Sequence, residues 1–322
     1  MVRSEFIRMG TQAMKRIVIA TRKSRLALWQ SEHCAELLRR ACPGLEVELL
    51  PMSTRGDELL DRSLAEIGGK GLFLKELEKA LLDGEADIAV HSLKDMPAEQ
   101  PEGLALGAYL ERADPRDLWI SRGGQRIEEL APGSQVGSSS LRRISQLRAL
   151  RRDLEIVPLR GNVETRLRAV AEGRVDATLL AAAGLERLGI TPPQALALDP
   201  LDWLPAPGQG IIAIQQRAAD ASVGALLARV GSAASTVQAE AERAVVRALG
   251  GDCRMPLAVH AQRLADAELY VRACLGDGNG GLIRAERKGP SDLAERLGFD
   301  CADELLRSGA VEWINSLNLS QN

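Results

Sequence analysis

The chain has 322 residues, with 41 basic against 44 acidic side chains, a formal net charge of −3 and 45% apolar residues. That length suits two or three packed domains, and the balanced charge argues against a general nucleic-acid binder. Aromatics make up 3% of the chain, so its cores must be built from Leu, Ile, Val and Ala; 34 of the 41 basic residues are Arg, through codon usage or because guanidinium forks grip carboxylates and phosphates.

Residues 1–13 read as a disordered leader. "RIVIAT" (16–21) is expected as a buried strand, followed by a helix over 24–41 with Ser24 as its N-cap and Pro43–Gly44 as its stop. "EVELLPM" is a second strand, 71–84 a helix closed by Gly84, and "ADIAVHS" (86–92) a third strand. The pattern then restarts: "SQVGSSS" (134–140) as a strand, "LRRISQLRALRRD" as a helix, "EIVPLR" as a strand, "NVETRLRAVAEG" as a helix and "VDATLLAAAG" as a strand. Two features recur in the same order, helix–Gly–strand and strand–Ser–basic helix, which favours two similar α/β lobes with mainly parallel sheets. "LPAPGQGIIAIQQR" (204–217) suits a crossover running into a strand. A helix over 235–249, the loop "GGDCRMP", three strands separated by short turns and a helical stretch over 291–317 then predict a smaller α+β domain with an antiparallel sheet.

Five cysteines (Cys34, Cys42, Cys253, Cys274 and Cys301) have irregular spacing, which gives neither a disulfide framework nor a C-x-x-C metal pair. No apolar run is long enough for a signal peptide or a membrane span, so the sequence reads as a reduced, cytoplasmic protein. No histidine has metal-ligand spacing, and His91 is expected as a packed, hydrogen-bonded residue.

Ligands in open α/β sheets bind beyond the carboxyl ends of the strands. Those ends carry Arg22, Lys23 and Ser24; Lys94 and Asp95; Ser138–Ser140 with Arg142 and Arg143; and Arg160–Asn162 with Arg166 one helical turn on. Each group could be a solvated loop end or a helix cap. Their convergence implies a polyanionic ligand between the lobes, where helix N-termini add to the attraction. No G-x-G-x-x-G follows a strand, and "EIGGKGLF" lacks P-loop spacing, so it reads as a flexible loop in the position of a lid. Asp95, among cations, is either a structural partner of an Arg or a stabiliser of positive charge on a substrate. Cys253 differs from the other thiols, which read as small buried hydrophobes: glycines free its backbone, Arg254 favours its thiolate and Asp252 opposes it. No base adjoins it, which leaves a covalent attachment point as the sharpest reading.

The stretches "IATRKS", "TRGD", "GGKGLF", "ADIAVHSLKDMP", "ERADPRD", "GSSSLRR", "LRGNV", "PGQG" and the cysteine loop together make the chain resemble the porphobilinogen deaminase family from Lys15 onward. The resemblance implies two periplasmic-binding-protein-like lobes, one over 14–110 with 211–230 and one over 111–210, plus a C-terminal domain over 231–322. It implies a dipyrromethane cofactor bound through a thioether to Cys253, and Asp95 as the catalytic carboxylate. Arg22, Ser24, Lys94, Ser140, Arg142, Arg143, Arg160, Arg166, Arg187 and Gln209 match its cofactor- and substrate-binding positions, and Lys70 and Phe73 its mobile loop. It further implies a monomer acting on porphobilinogen, with no nucleic-acid or membrane partner. Arg25, Glu66 and Asp252 depart from the family pattern, Arg25 standing where many members have Pro. A non-catalytic two-lobed binding module is the rival reading, and it would need neither Asp95 nor Cys253.

Overall fold

The computed structural model describes residues 14–53, 74–251 and 255–319, with side chains through 316. The expected leader, Glu66, Lys70, Phe73, Asp252 and Cys253 lie outside the described residues.

In the first lobe, β1 (Arg16–Arg22) leads into α1 (Arg25–Ala41), β2 (Glu46–Met52), α2 (Lys75–Leu82), β3 (Ile88–Ser92) and β4 (Leu104–Tyr109). Ile17, Ile19 and Ala20 are all fully buried, as a parallel strand covered on both faces requires. Ser24 caps α1, its Oγ accepting from the Ala27 amide at 3.3 Å. In the second lobe come β5 (Asp117–Ser121), β6 (Gln135–Gly137), α3 (Leu141–Leu150), β7 (Glu155–Val157), α4 (Val163–Ala171), β8 (Ala177–Ala181), α5 (Ala182–Arg187) and β9 (Leu196–Ala197). The chain then returns through residues 198–211 to β10 (Ile212–Arg217) and α6 (Ala221–Leu227).

The two lobes share one topology. The first sheet has the order β2-β1-β3-β10-β4 and the second β7-β6-β8-β5-β9. In each, the first three strands are parallel and the fourth is antiparallel to both neighbours. That fourth strand is the one delivered by a crossover: β5 enters the second sheet after β4, and β10 re-enters the first after β9. Ile19, Leu38, Ile88, Ile214 and Leu227 fill one face of the first lobe, while Trp119, Val136, Leu147, Leu179 and Trp203 form the core of the second.

The C-terminal unit packs α7 (Ala233–Ala248) and α8 (Ala294–Leu305) on the antiparallel sheet β11 (Leu257–Arg263), β12 (Glu268–Gly276) and β13 (Leu282–Pro290). Alternation along β12 is clean: Leu269, Val271, Ala273 and Leu275 enter the helix-covered core, and Tyr270, Arg272 and Cys274 face the other way.

Several elements are shorter than their sequence patterns. α3 stops at Leu150 instead of Asp153, because Arg151 turns its guanidinium onto Asp153 and the carbonyls of Ile127 and Leu130. β7 ends before Pro158, which has no amide to continue a ladder. The run "VDATLLAAAG" divides into β8 and the start of α5. The C-terminal helical stretch breaks at Gly309, whose φ of 102° separates α8 from α9 (Val311–Leu319).

Candidate active site between the lobes

At the end of β3 the chain makes one 3-10 turn, Leu93–Asp95, which buries Leu93 and leaves Asp95 exposed beside Lys94. Lys94, Ser140 and Arg142 line one cavity of about 90 Å³ with Met96, Pro207, Arg243 and Met255. First lobe, second lobe and C-terminal unit therefore all contribute to its wall. Burial pushes the Lys94 ammonium down to about 8, with Arg143 and Arg142 acting in the same direction against Asp95 and Asp117. Arg166 is pushed down to about 10 by burial and by Arg143 and Arg160, with Asp95 opposing. Lys94 and Asp95 of one lobe thus act electrostatically on, or are acted on by, Arg142, Arg143 and Arg166 of the other, and Lys94 and Arg142 share one cavity wall.

Three helix N-termini carry the caps read from the sequence. Ser140 Oγ accepts from the Arg143 amide at 3.5 Å, and Asn162 Oδ1 from the Thr165 amide at 2.9 Å, as Ser24 does on α1. Each cap leaves amide dipoles directed outward at the end of its helix. Ser138 is buried, its Oγ accepting from the Ser140 amide at 3.2 Å.

The arginines divide by partner. Arg143 grips Asp117 through Nε at 3.1 Å and Nη2 at 2.7 Å, and its Nη1 donates to the Leu179 carbonyl at 2.8 Å. Arg142 Nη1 lies 2.9 Å from the Asp117 carboxylate and also donates to the Leu204 carbonyl. Arg166 Nε donates to the Gly161 carbonyl. Arg160 is exposed, and Arg22 is half-buried, its charge helping to lower the His91 pKa. Arg187 sits on the seam between lobes, donating to the Gly210 carbonyl at 2.7 Å and lying 5.8 Å from the Trp29 ring centroid. His91 behaves as expected: it is buried, paired with Gln215 at 3.2 Å, and pushed down to about 4 chiefly by burial. Cys34, Cys274 and Cys301 are buried, and burial raises all three thiols.

Asp117 is the residue that sequence reasoning missed. It is fully buried, and besides the two guanidiniums it accepts from Trp203 Nε1 at 2.9 Å and Gln209 Nε2 at 3.0 Å. Burial opposes its ionisation, yet Arg142 and Arg143 hold its carboxyl well below the usual carboxylate range. A charged residue opening the apolar strand "DLWIS" was the available signal. Glu242 plays the same part at the crossovers: fully buried, it takes Arg112 Nη1 at 2.6 Å, the Gly208 amide at 2.6 Å and the Ala261 amide at 2.7 Å.

The donor set suits a cofactor bearing carboxylates: an ammonium, a capping hydroxyl and guanidiniums face one cavity, and Asp117 neutralises part of their charge. Among the described residues no cluster of three His, Cys, Asp or Glu side chains gathers to hold a metal ion.

Two lobes of one topology, meeting at basic strand ends beside a third unit, define a two-lobed α/β binding architecture. The model "Porphobilinogen deaminase, dipyromethane cofactor binding domain" matches residues 17–225, and "Porphobilinogen deaminase, C-terminal domain" matches residues 236–307. Porphobilinogen deaminase of Stenotrophomonas maltophilia strain K279a is 54% identical over 303 residues, covering 94% of this chain and all of that protein. That of Xanthomonas axonopodis pv. citri is 52% identical over 305 residues, with 94% and 100% coverage. Among solved structures, the periplasmic aliphatic sulphonate binding protein SsuA from Escherichia coli overlaps with a TM-score of 0.40 at 16% identity, covering 73% of this chain and 70% of that one. The chain belongs to the porphobilinogen deaminase family, transferases of porphyrin biosynthesis with a dipyrromethane cofactor. No helix among the described residues is long and apolar enough to cross a membrane.

Proposed function

We propose that the protein joins four porphobilinogen molecules head to tail on a covalent dipyrromethane primer, releasing ammonia at each addition and finally hydroxymethylbilane by hydrolysis. The observation that carries this reading is the meeting of Asp95 and Lys94 with Arg142, Arg143 and Arg166 across the two lobes. When bound, dipyrromethane would supply the terminal pyrrole that the first unit joins, each later unit joining the one before it. In each addition the aminomethyl C–N bond breaks, a C–C bond forms, and a pyrrole proton and ammonia leave.

Asp95 accepts hydrogen bonds from pyrrole N–H groups and stabilises the cation that develops as ammonia departs. Lys94, Ser140, Arg142, Arg160 and Arg166 bind the acetate and propionate arms, with Arg22 and Ser24 extending the surface along the first lobe. Arg143, Gln209 and Asp117 orient that wall, and Arg187 fixes the seam. Lys70 and Phe73 match the mobile loop of the family, and Cys253 tethers the primer. The lobes divide at 14–110 with 211–230, and 111–210, with the C-terminal domain over 231–322. The protein works as a cytoplasmic monomer.

Intact mass tests this reading. The purified protein should exceed its sequence mass by two pyrrole units, and Cys253→Ser should abolish the surplus. An active preparation with a bare Cys253 thiol refutes the tether.

A further inference from the structure

A second cleft, of about 590 Å³, lies where the two crossovers meet the C-terminal sheet, and it shares no lining residue with the cavity beside Lys94. Glu111, Arg112, Asp199, His260, Arg263 and Arg272 are its charged and titratable lining. Arg272 stands out among them. It is 6% exposed, yet its Nε and Nη2 have no hydrogen-bond partner. Leaving charged donors unmet in a buried position is costly, so such a group calls for an acceptor.

Its neighbours do not supply one. His260 stands opposite in the β11–β12 register and Glu286 in the β12–β13 register. The Glu286 carboxylate takes the Tyr270 hydroxyl. Glu111 takes the Ser232 hydroxyl at 2.5 Å, and Asp199 the Leu201 amide at 2.9 Å. Burial lowers the His260 pKa from its ordinary value, with Glu242 opposing; its Nδ1 lies 3.7 Å from Glu242, whose carboxylate is held by Arg112.

The orientation of Arg272 is set by Tyr270, whose ring centroid lies 5.0 Å from the guanidinium carbon. Nε and Nη2 form the edge of a guanidinium that bridges two oxygens of one oxyanion. Arg143 uses that same edge on Asp117 in this molecule. Arg263, exposed and also lining the cleft, adds an attractive charge.

We propose that this cleft binds a small oxyanion, a carboxylate or phosphate, bridged by Nε and Nη2 of Arg272. The occupant touches both crossovers and the C-terminal sheet, and so joins all three parts of the chain away from the chemistry. Calorimetric titration of the holoenzyme with inorganic phosphate and, separately, succinate tests the site and distinguishes the two sources. At least one should bind saturably, and Arg272→Met should weaken that binding more than tenfold while leaving turnover within twofold. Arg272→Lys keeps the charge but loses the paired edge, and should weaken binding about tenfold; it decides the matter if the Met variant fails to fold. No saturable binding of either anion to the wild type, or unchanged binding in the variant, overturns the proposal.

Discussion

At the scale of single residues, the site is a balance between charges spent inside the protein and charges left for a ligand. Asp117 consumes much of Arg142 and Arg143, whereas Lys94 and Arg166 carry a desolvation penalty that bound carboxylates would relieve. Asp95 is exposed, and Asn keeps its size. Asp95→Asn should therefore fold, keep the cofactor mass and lose nearly all turnover; near-normal turnover would remove its catalytic role. Lys94 gives a pH signature. Its ammonium is charged below about pH 8 in the ligand-free site and neutral above it. Substrate affinity should be full below that pH and fall above it, by at most about tenfold per unit. Lys94→Arg should flatten the rise of KM with pH above about 8, and Lys94→Met should raise KM at pH 7 with no further rise. These strand-end residues were legible in the sequence because topology places such residues at the site. Asp117 was not, since an acid at a strand start has no partner until Trp203, Gln209 and the α3 arginines fold onto it.

At the scale of elements, the helix caps and the C-terminal strands followed from local chemistry, and "LAVHAQR" and "ELYVRACLG" form β11 and β12, two of the three strands expected after the cysteine loop. The elements that escaped notice, β4, β5, α5, β9 and α6, are short or depend on remote neighbours. α5 begins where the Ala182 amide meets the Arg116 carbonyl, a contact made across the first crossover. Glu242 on α7 joins three such elements, through Arg112, Gly208 and Ala261. Burial opposes its charge, and Arg112 and His260 hold its carboxyl below the usual range. Removing one member of a buried pair leaves the other charge stranded, so Glu242→Ala should cost about 3–5 kcal/mol. Urea unfolding measures this, and a change below about 0.5 kcal/mol would show that the junction does not depend on Glu242. Gly210 marks how closely the crossovers approach: at φ 89°, a Cβ there would sit 2.5 Å from the Ala113 carbonyl oxygen.

At the scale of the whole molecule, one ion pair among the described residues joins the lobes outside the crossovers from an exposed position. Arg25 and Glu164 pair across the cleft at 2.6 Å, but the Arg25 side chain is 71% exposed. An exposed pair is worth less than about 1 kcal/mol and is screened by salt, so it does little to hold the lobes together. The exchanged fourth strands have a different consequence, for how the chain is made. On a ribosome, β3 and β4 emerge before the whole second lobe, and the strand that lies between them emerges only after it. The first sheet thus keeps an open edge at β3 for more than a hundred residues of synthesis, from Ser92 to Ile212. A fragment ending at residue 200 should lose hydrogen-exchange protection at those amides of Ile88–Ser92 that face β10, while the side paired with β1 can keep it; equal protection of the β10-facing amides would mean that this edge is covered without β10. Nascent chains of this protein are accordingly suited to a chaperone that covers a strand edge until β10 arrives.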